Sequence, residues 1–303
     1  MFRLGYNTNG LPFHRLSEAL ELLSELGYEA VAITPDVGAL DPLRLSPAEV
    51  RDTRLRLDDL GLTVAIEAGA RFVLDPRRKH RPNLLEDSAL EREQRIDFYR
   101  RCVDLAAALG AGVMSLWAGA VPDHGPKHGP DHGRQHEPGQ QRATLDTDPD
   151  HPLLDRLALG LTEVLEHARG TGVRVGFEPE PGMFVERPAG FRTLLEHMGS
   201  SGSELGLTLD VGHCVVTDDL PVSRVVSEFA ERLIHVHLAD CPAGTHLHVP
   251  FGQGDLDLTD ALRGLVEQGF DGMAAVELSR DGHRGPDAAA EASVALRAAL
   301  TEI

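Results

Sequence analysis

The chain has 303 residues, 25% of them charged and 42% hydrophobic, the mix of a soluble globular protein. Its 29 basic residues stand against 48 acidic ones, a formal net charge of −19, and that field repels polyanions, which excludes a general nucleic-acid or anionic-membrane binder. Three scattered cysteines, Cys102, Cys214 and Cys241, offer no disulfide framework and fit a reducing, cytoplasmic location.

The opening MFRLGYNTNG has no apolar leader region, and the most apolar stretch, 105–121, is too short to span a bilayer. Phe2–Asn7 reads as a first strand. Leu16, Leu20 and Leu23 then share one helical face, Gly27 caps that helix, and Tyr28–Thr34 follows as a buried strand. In SPAE, Ser46 is an N-cap, Pro47 the first helical residue and Glu49 the closing residue of a capping box. Gly61 stops that helix before the strand Leu62–Glu67. The next helix runs from about Glu91 to Gly110, ahead of the strand Val113–Trp117. Leu153–Arg169 is helical and leads into Val173–Glu178. Helices near Pro188–Met198, Pro221–Glu231 and Leu258–Gln268 precede the strands Leu205–Asp210, Leu233–Leu238 and Gly272–Leu278. Pro286–Leu300 closes the chain.

Eight mostly unbroken apolar strands alternating with eight helices predict an all-parallel sheet covered by helices. At this length the expectation is a single α/β domain over 1–303, a closed (β/α)8 TIM barrel. Neither a dinucleotide fingerprint nor a phosphate-cradling P-loop is present. Two long connections, 68–88 and 118–151, fall on the barrel's C-terminal face, where barrel enzymes carry specificity elements. The second is a His-, Gly- and Pro-rich insert. His124, His128, His132 and His136 recur every fourth residue there, but the interleaved Gly and Pro predict a solvated loop and no helix.

In a barrel, polar residues at the C-terminal strand ends carry the chemistry. Glu178, Asp210 and Glu277 end strands five, six and eight, and strand seven carries His235 and His237, of which His237 lies nearer the mouth. Three carboxylates and an imidazole suit one exchangeable divalent ion, Mn2+, Mg2+, Co2+ or Zn2+. His213, three residues past Asp210 beyond a Gly turn, is a second ligand, a substrate contact or a helix-capping loop residue. Arg71 leads a run with Arg77, Arg78, Lys79, His80 and Arg81, either an anion clamp or a solvated loop. Trp117 either stacks on a sugar face or packs in the barrel. Glu67 is a site acid or a strand-end charge, and Glu180 and Glu186 flank the strand-five end.

FEPEPG, TLDVGH, HVHLAD, HVPFGQGDLDL and AAVEL, with the opening LGYNTNG and LSEALELLSELGYEAVAIT, resemble the xylose isomerase-like TIM-barrel superfamily, the sugar phosphate isomerases/epimerases, over nearly the whole chain. That resemblance implies a metal-dependent isomerase or epimerase of a ketose, inosose or related keto-polyol, acting through an enediolate. Glu178, Asp210, His237 and Glu277 match the metal ligands, and His213 matches a residue holding a substrate hydroxyl. In the epimerase branch the two glutamates, Glu178 and Glu277, also move protons. A departure is Ala243, where sugar epimerases often carry an Arg; His246 and His248 follow instead, as substrate contacts. That pair is similar to the endonuclease IV branch, which however also needs histidines from strands three and four, and these strands end here at Glu67 and Trp117. The resemblance includes inosose and dehydroshikimate dehydratases, so a lyase is the alternative outcome. A non-catalytic sugar-binding barrel is a further one. The expected partner is a small carbohydrate or cyclitol, with no nucleic acid and no membrane, in a homodimer.

Overall fold

A computed structural model describes residues 2–122, 144–145, 148 and 150–303. The four histidines of the insert lie outside the described residues. In chain order the elements are β1 (Arg3–Asn7), α1 (Leu16–Glu25), β2 (Ala30–Ile33), α2 (Pro47–Leu60), β3 (Thr63–Glu67), α3 (Ala89–Leu109), β4 (Val113–Leu116) and α4 (Leu153–Ala168). Then come β5 (Arg174–Phe177), α5 (Pro188–Met198), β6 (Gly206–Asp210), α6 (Val211–Val216), α7 (Val222–Glu228), β7 (Leu233–Leu238), α8 (Leu258–Glu267), β8 (Met273–Val276) and α9 (Gly285–Leu300). The eight strands close in sequence order into a parallel barrel, β8 pairing with β1. The chain is a (β/α)8 TIM barrel.

Local signals explain these boundaries. Ser46 accepts from the Glu49 N–H while the Glu49 carboxylate accepts from the Ser46 N–H, the reciprocal cap read in SPAE. Gly61 and Gly110 end α2 and α3 at φ of 66° and 73°, a left-handed conformation that glycine adopts without steric cost. The strands are buried on both faces, as helices packed outside a parallel sheet require. Phe98, Phe177, Phe184 and Phe191, all fully buried, belong to the main core.

Two differences from the sequence reading matter for the site. The β6–β7 connection holds an extra short helix, α6, so His213 is helical and does not follow a Gly turn. Gly212 serves packing there: a Cβ would lie 2.8 Å from the Ala239 carbonyl and 2.9 Å from the Cys241 sulfur. Glu178 and Glu277 stand one residue past β5 and β8. Their N–H groups still continue the sheet, donating to the Leu116 carbonyl at 2.8 Å and the Leu238 carbonyl at 3.0 Å.

A candidate metal centre at the barrel mouth

Parallel register brings the strand ends together. Asp210 on β6 pairs directly with His237 on β7. One ligand atom each from Glu178, Asp210, His237 and Glu277 lies within 4.8 Å of the other three. His237 Nδ1 is 2.9 Å from Glu178 Oε1 and 3.2 Å from Glu277 Oε2. Asp210 divides its oxygens: Oδ1 accepts from the Gly212 and His213 N–H groups at the start of α6, while Oδ2 is buried with no hydrogen bond. A buried carboxylate oxygen left unpaired is costly. Three carboxylates around one imidazole therefore fit a divalent cation, which would satisfy that oxygen and neutralise the crowd.

The charges bear on one another. Burial pushes the Glu178 carboxyl up to about 7, against the opposing pull of His237. Burial works against a charged His237, but Glu67, Glu178 and Glu277 outweigh it and hold the imidazole well above its ordinary value. Asn9, just past β1, donates its side-chain amide to Glu277 Oε1 at 2.7 Å.

A second cluster adjoins the first. His213 Nδ1 faces the Pro179 carbonyl at 3.2 Å and His248 Nδ1 faces the Glu277 carbonyl at 3.0 Å. Both rings therefore turn Nε2 inward, where His246 Nε2 also points; the separations from His213 Nε2 are 3.0 Å for His246 and 3.3 Å for His248. Burial, reinforced by His248, pulls His213 down to about 3, and burial with His213 and His248 does the same for His246. Held low in this way, the His213 and His246 imidazoles favour the neutral form, able to accept hydrogen bonds or to bind a cation.

A cavity of about 460 Å3 opens over these residues, and Glu67, Arg71, Lys79, His80, Trp117 and Glu180 line it as well. That is within the usual range for small-molecule sites. Trp117 meets the His80 ring edge-on at 5.1 Å and has the Arg95 guanidinium over its ring at 5.4 Å. The basic run of the 68–88 loop divides. Arg78 pairs with Asp75 and Glu91, and Arg81 with Glu86. Arg71, Lys79 and His80 face the cavity. Glu67 turns Oε1 toward His235 and His237. His235 lies deeper in the barrel and is absent from the quartet. Ala243 is exposed and does not line the cavity.

Sequence reasoning passed over Asn9, Ser279 and Arg280, which also line the cavity. In NTNG an asparagine carries the signature of a turn. The usable signal was its place just beyond a barrel strand, the rule that found the acids.

Residues 20–299 match the family model described as xylose isomerase-like TIM barrel. Among curated relatives, a fructoselysine 3-epimerase of Shigella flexneri is 24% identical over 131 residues, 43% of this chain and 47% of that protein. An inosose dehydratase of Lacticaseibacillus casei is 26% identical over 145 residues, 42% of this chain and 47% of that one. The matches thus span less than half the length of these relatives. The solved structure of the IOLI protein with a binding zinc atom superposes with a TM-score of 0.73 at 16% identity, covering 99% of both chains. With the family model covering nearly the whole barrel, this chain belongs to the xylose isomerase-like TIM barrel family.

Proposed function

We propose that this protein is a divalent-metal-dependent isomerase or epimerase acting on a ketose, inosose or related keto-polyol. The observation that carries the reading is the convergence of Glu178, Asp210, His237 and Glu277 within 4.8 Å in a pocket of sugar-sized capacity. These four residues would hold one ion, which when bound supplies a Lewis acid for a carbonyl and its neighbouring hydroxyl. The protein supplies the rest. Glu178 and Glu277, both within 3.2 Å of the His237 Nδ1, serve as the base that takes a carbon-bound proton and the acid that returns one. Asn9 fixes Glu277 through Oε1, leaving Oε2 on the His237 side. The inward nitrogens of His213, His246 and His248 accept substrate hydroxyl hydrogens, and Trp117 and Arg71 complete the wall.

Dehydration is the second reading, supported by the partial likeness to inosose dehydratase. It needs the same proton abstraction followed by loss of a β-hydroxyl. The test is incubation of the metal-loaded protein with ketoses and inososes in deuterated water, followed by NMR and ultraviolet absorption. Exchange of a carbon-bound proton with formation of an isomer supports the first reading. Growth of an enone band supports the second. Binding without any exchange would overturn both in favour of a sugar-binding barrel.

A further inference from the structure

We propose that Glu67 is the positioning carboxylate of this centre, holding His237 with Nδ1 turned to Glu178, Asp210 and Glu277, and that His235 anchors Glu67 in turn. The inference rests on the metal-dependent reading above. Glu67 ends β3 and His237 lies on β7, strands that face each other across the closed eight-stranded barrel. The carboxylate therefore reaches across the lumen. Ala30, Ala32, Ala65 and Ala275 belong, with Val113, Ile234 and Met273, to a second buried cluster separate from the main core.

An imidazole that offers one nitrogen to a cation carries its proton on the other, and that proton needs an acceptor. His237 Nδ1 is on the side of the quartet. On the opposite side Nε2 lies 3.1 Å from Glu67 Oε1. His235, two residues earlier and so on the same side of its strand, brings its Nε2 to 2.8 Å from that same oxygen. The two rings stand nearly perpendicular, at 89°. Glu67, His235 and His237 are 7%, 0% and 2% exposed, and neither ring N–H points in line at Oε1. Among the described residues no group hydrogen-bonds His237 Nε2, and the ring stands between Glu178 on its Nδ1 side at 2.9 Å and Glu67 on its Nε2 side at 3.1 Å.

The test uses full-length Glu67→Gln, Glu67→Ala and His235→Asn. Mn2+ affinity is measured by chelator competition, and the visible absorption of the Co2+-loaded protein reports ligand geometry without any turnover. Each variant is expected to keep one ion at the centre. Affinity should fall about tenfold for Glu67→Gln and about 100-fold for Glu67→Ala, the range for outer contacts of a ligating histidine. The Co2+ bands should shift in both, and His235→Asn should move affinity the same way by less. Unchanged affinity and spectrum in Glu67→Ala would overturn the proposal. So would a wild type that binds two ions and loses one in these variants, because Glu67 would then be a ligand itself. A wild type that binds no ion removes the metal-dependent reading as well, and is recognised before any variant is compared. If Glu67→Ala does not fold, nitrogen-15 NMR of the Zn2+-loaded wild type decides: a His237 proton on Nε2 supports the proposal, and one on Nδ1 overturns it.

Discussion

Asp210 does two jobs with two oxygens, and they can be separated. Its Oδ1 caps α6 while Oδ2 is buried without a hydrogen bond among the ligand atoms. Asp210→Asn keeps an oxygen for the cap but loses the charge. The expected outcome is a folded protein whose metal affinity drops by more than the roughly 10- to 100-fold typical of outer contacts. Circular dichroism and a metal titration check both halves. The centre should also release protons on loading. Without an ion, burial pushes Glu178 up to about 7, and the carboxylates around His237 outweigh its burial to hold it well above its ordinary value. A cation must displace those protons, so apparent affinity should climb between about pH 6 and pH 8. Calorimetry in two buffers of different ionisation enthalpy reads the release directly, and equal heats would contradict it. The three acids and the imidazole of the quartet were legible because barrel topology assigns strand ends to the mouth. Asn9 was not, since its amide reads as turn chemistry until the fold sets it against Glu277.

At the scale of elements, the 68–88 loop is held by Arg95 of α3. This guanidinium is fully buried, donates to the Pro82 carbonyl at 2.7 Å and the His80 carbonyl at 2.6 Å, and lies over the rings of Phe98, Tyr99 and Trp117. Arg95→Ala would leave a cavity and two unpaired carbonyls. We expect a loss of about 2–4 kcal/mol, read by chemical denaturation, with faster proteolytic cutting in 68–88. A change within about 0.5 kcal/mol, the scatter of ordinary surface substitutions, would contradict that role. Ser46→Ala, which removes the cap of α2, should cost about 1 kcal/mol by the same assay. Both the cap at Ser46 and the glycine stops stood in the sequence as local chemistry. The role of Arg95 did not, because a lone arginine in a helix looks solvated until the loop folds over it. Helix α6 was hidden for a related reason. Gly212 reads as a turn former, while the contact that demands it comes from Ala239 and Cys241, distant in sequence.

For the molecule as a whole, the barrel collects acidic groups at its mouth in a chain already carrying a net charge of −19. Such a field draws cations toward the centre and slows anions, so metal uptake should be faster at low salt. No described helix is long and apolar enough to cross a membrane. The alternation of strands and helices sufficed for the architecture, because eight buried apolar strands separated by capped helices have few ways to close. The most direct measurement is metal content by mass spectrometry, wild type beside Asp210→Asn, after loading with Mn2+ and removal of free ion. Subtracting the variant cancels any ion held by the histidines of the insert. A difference of one ion per chain is the predicted result. No difference between the two proteins, or no ion retained in either, would contradict a metal centre built from Glu178, Asp210, His237 and Glu277.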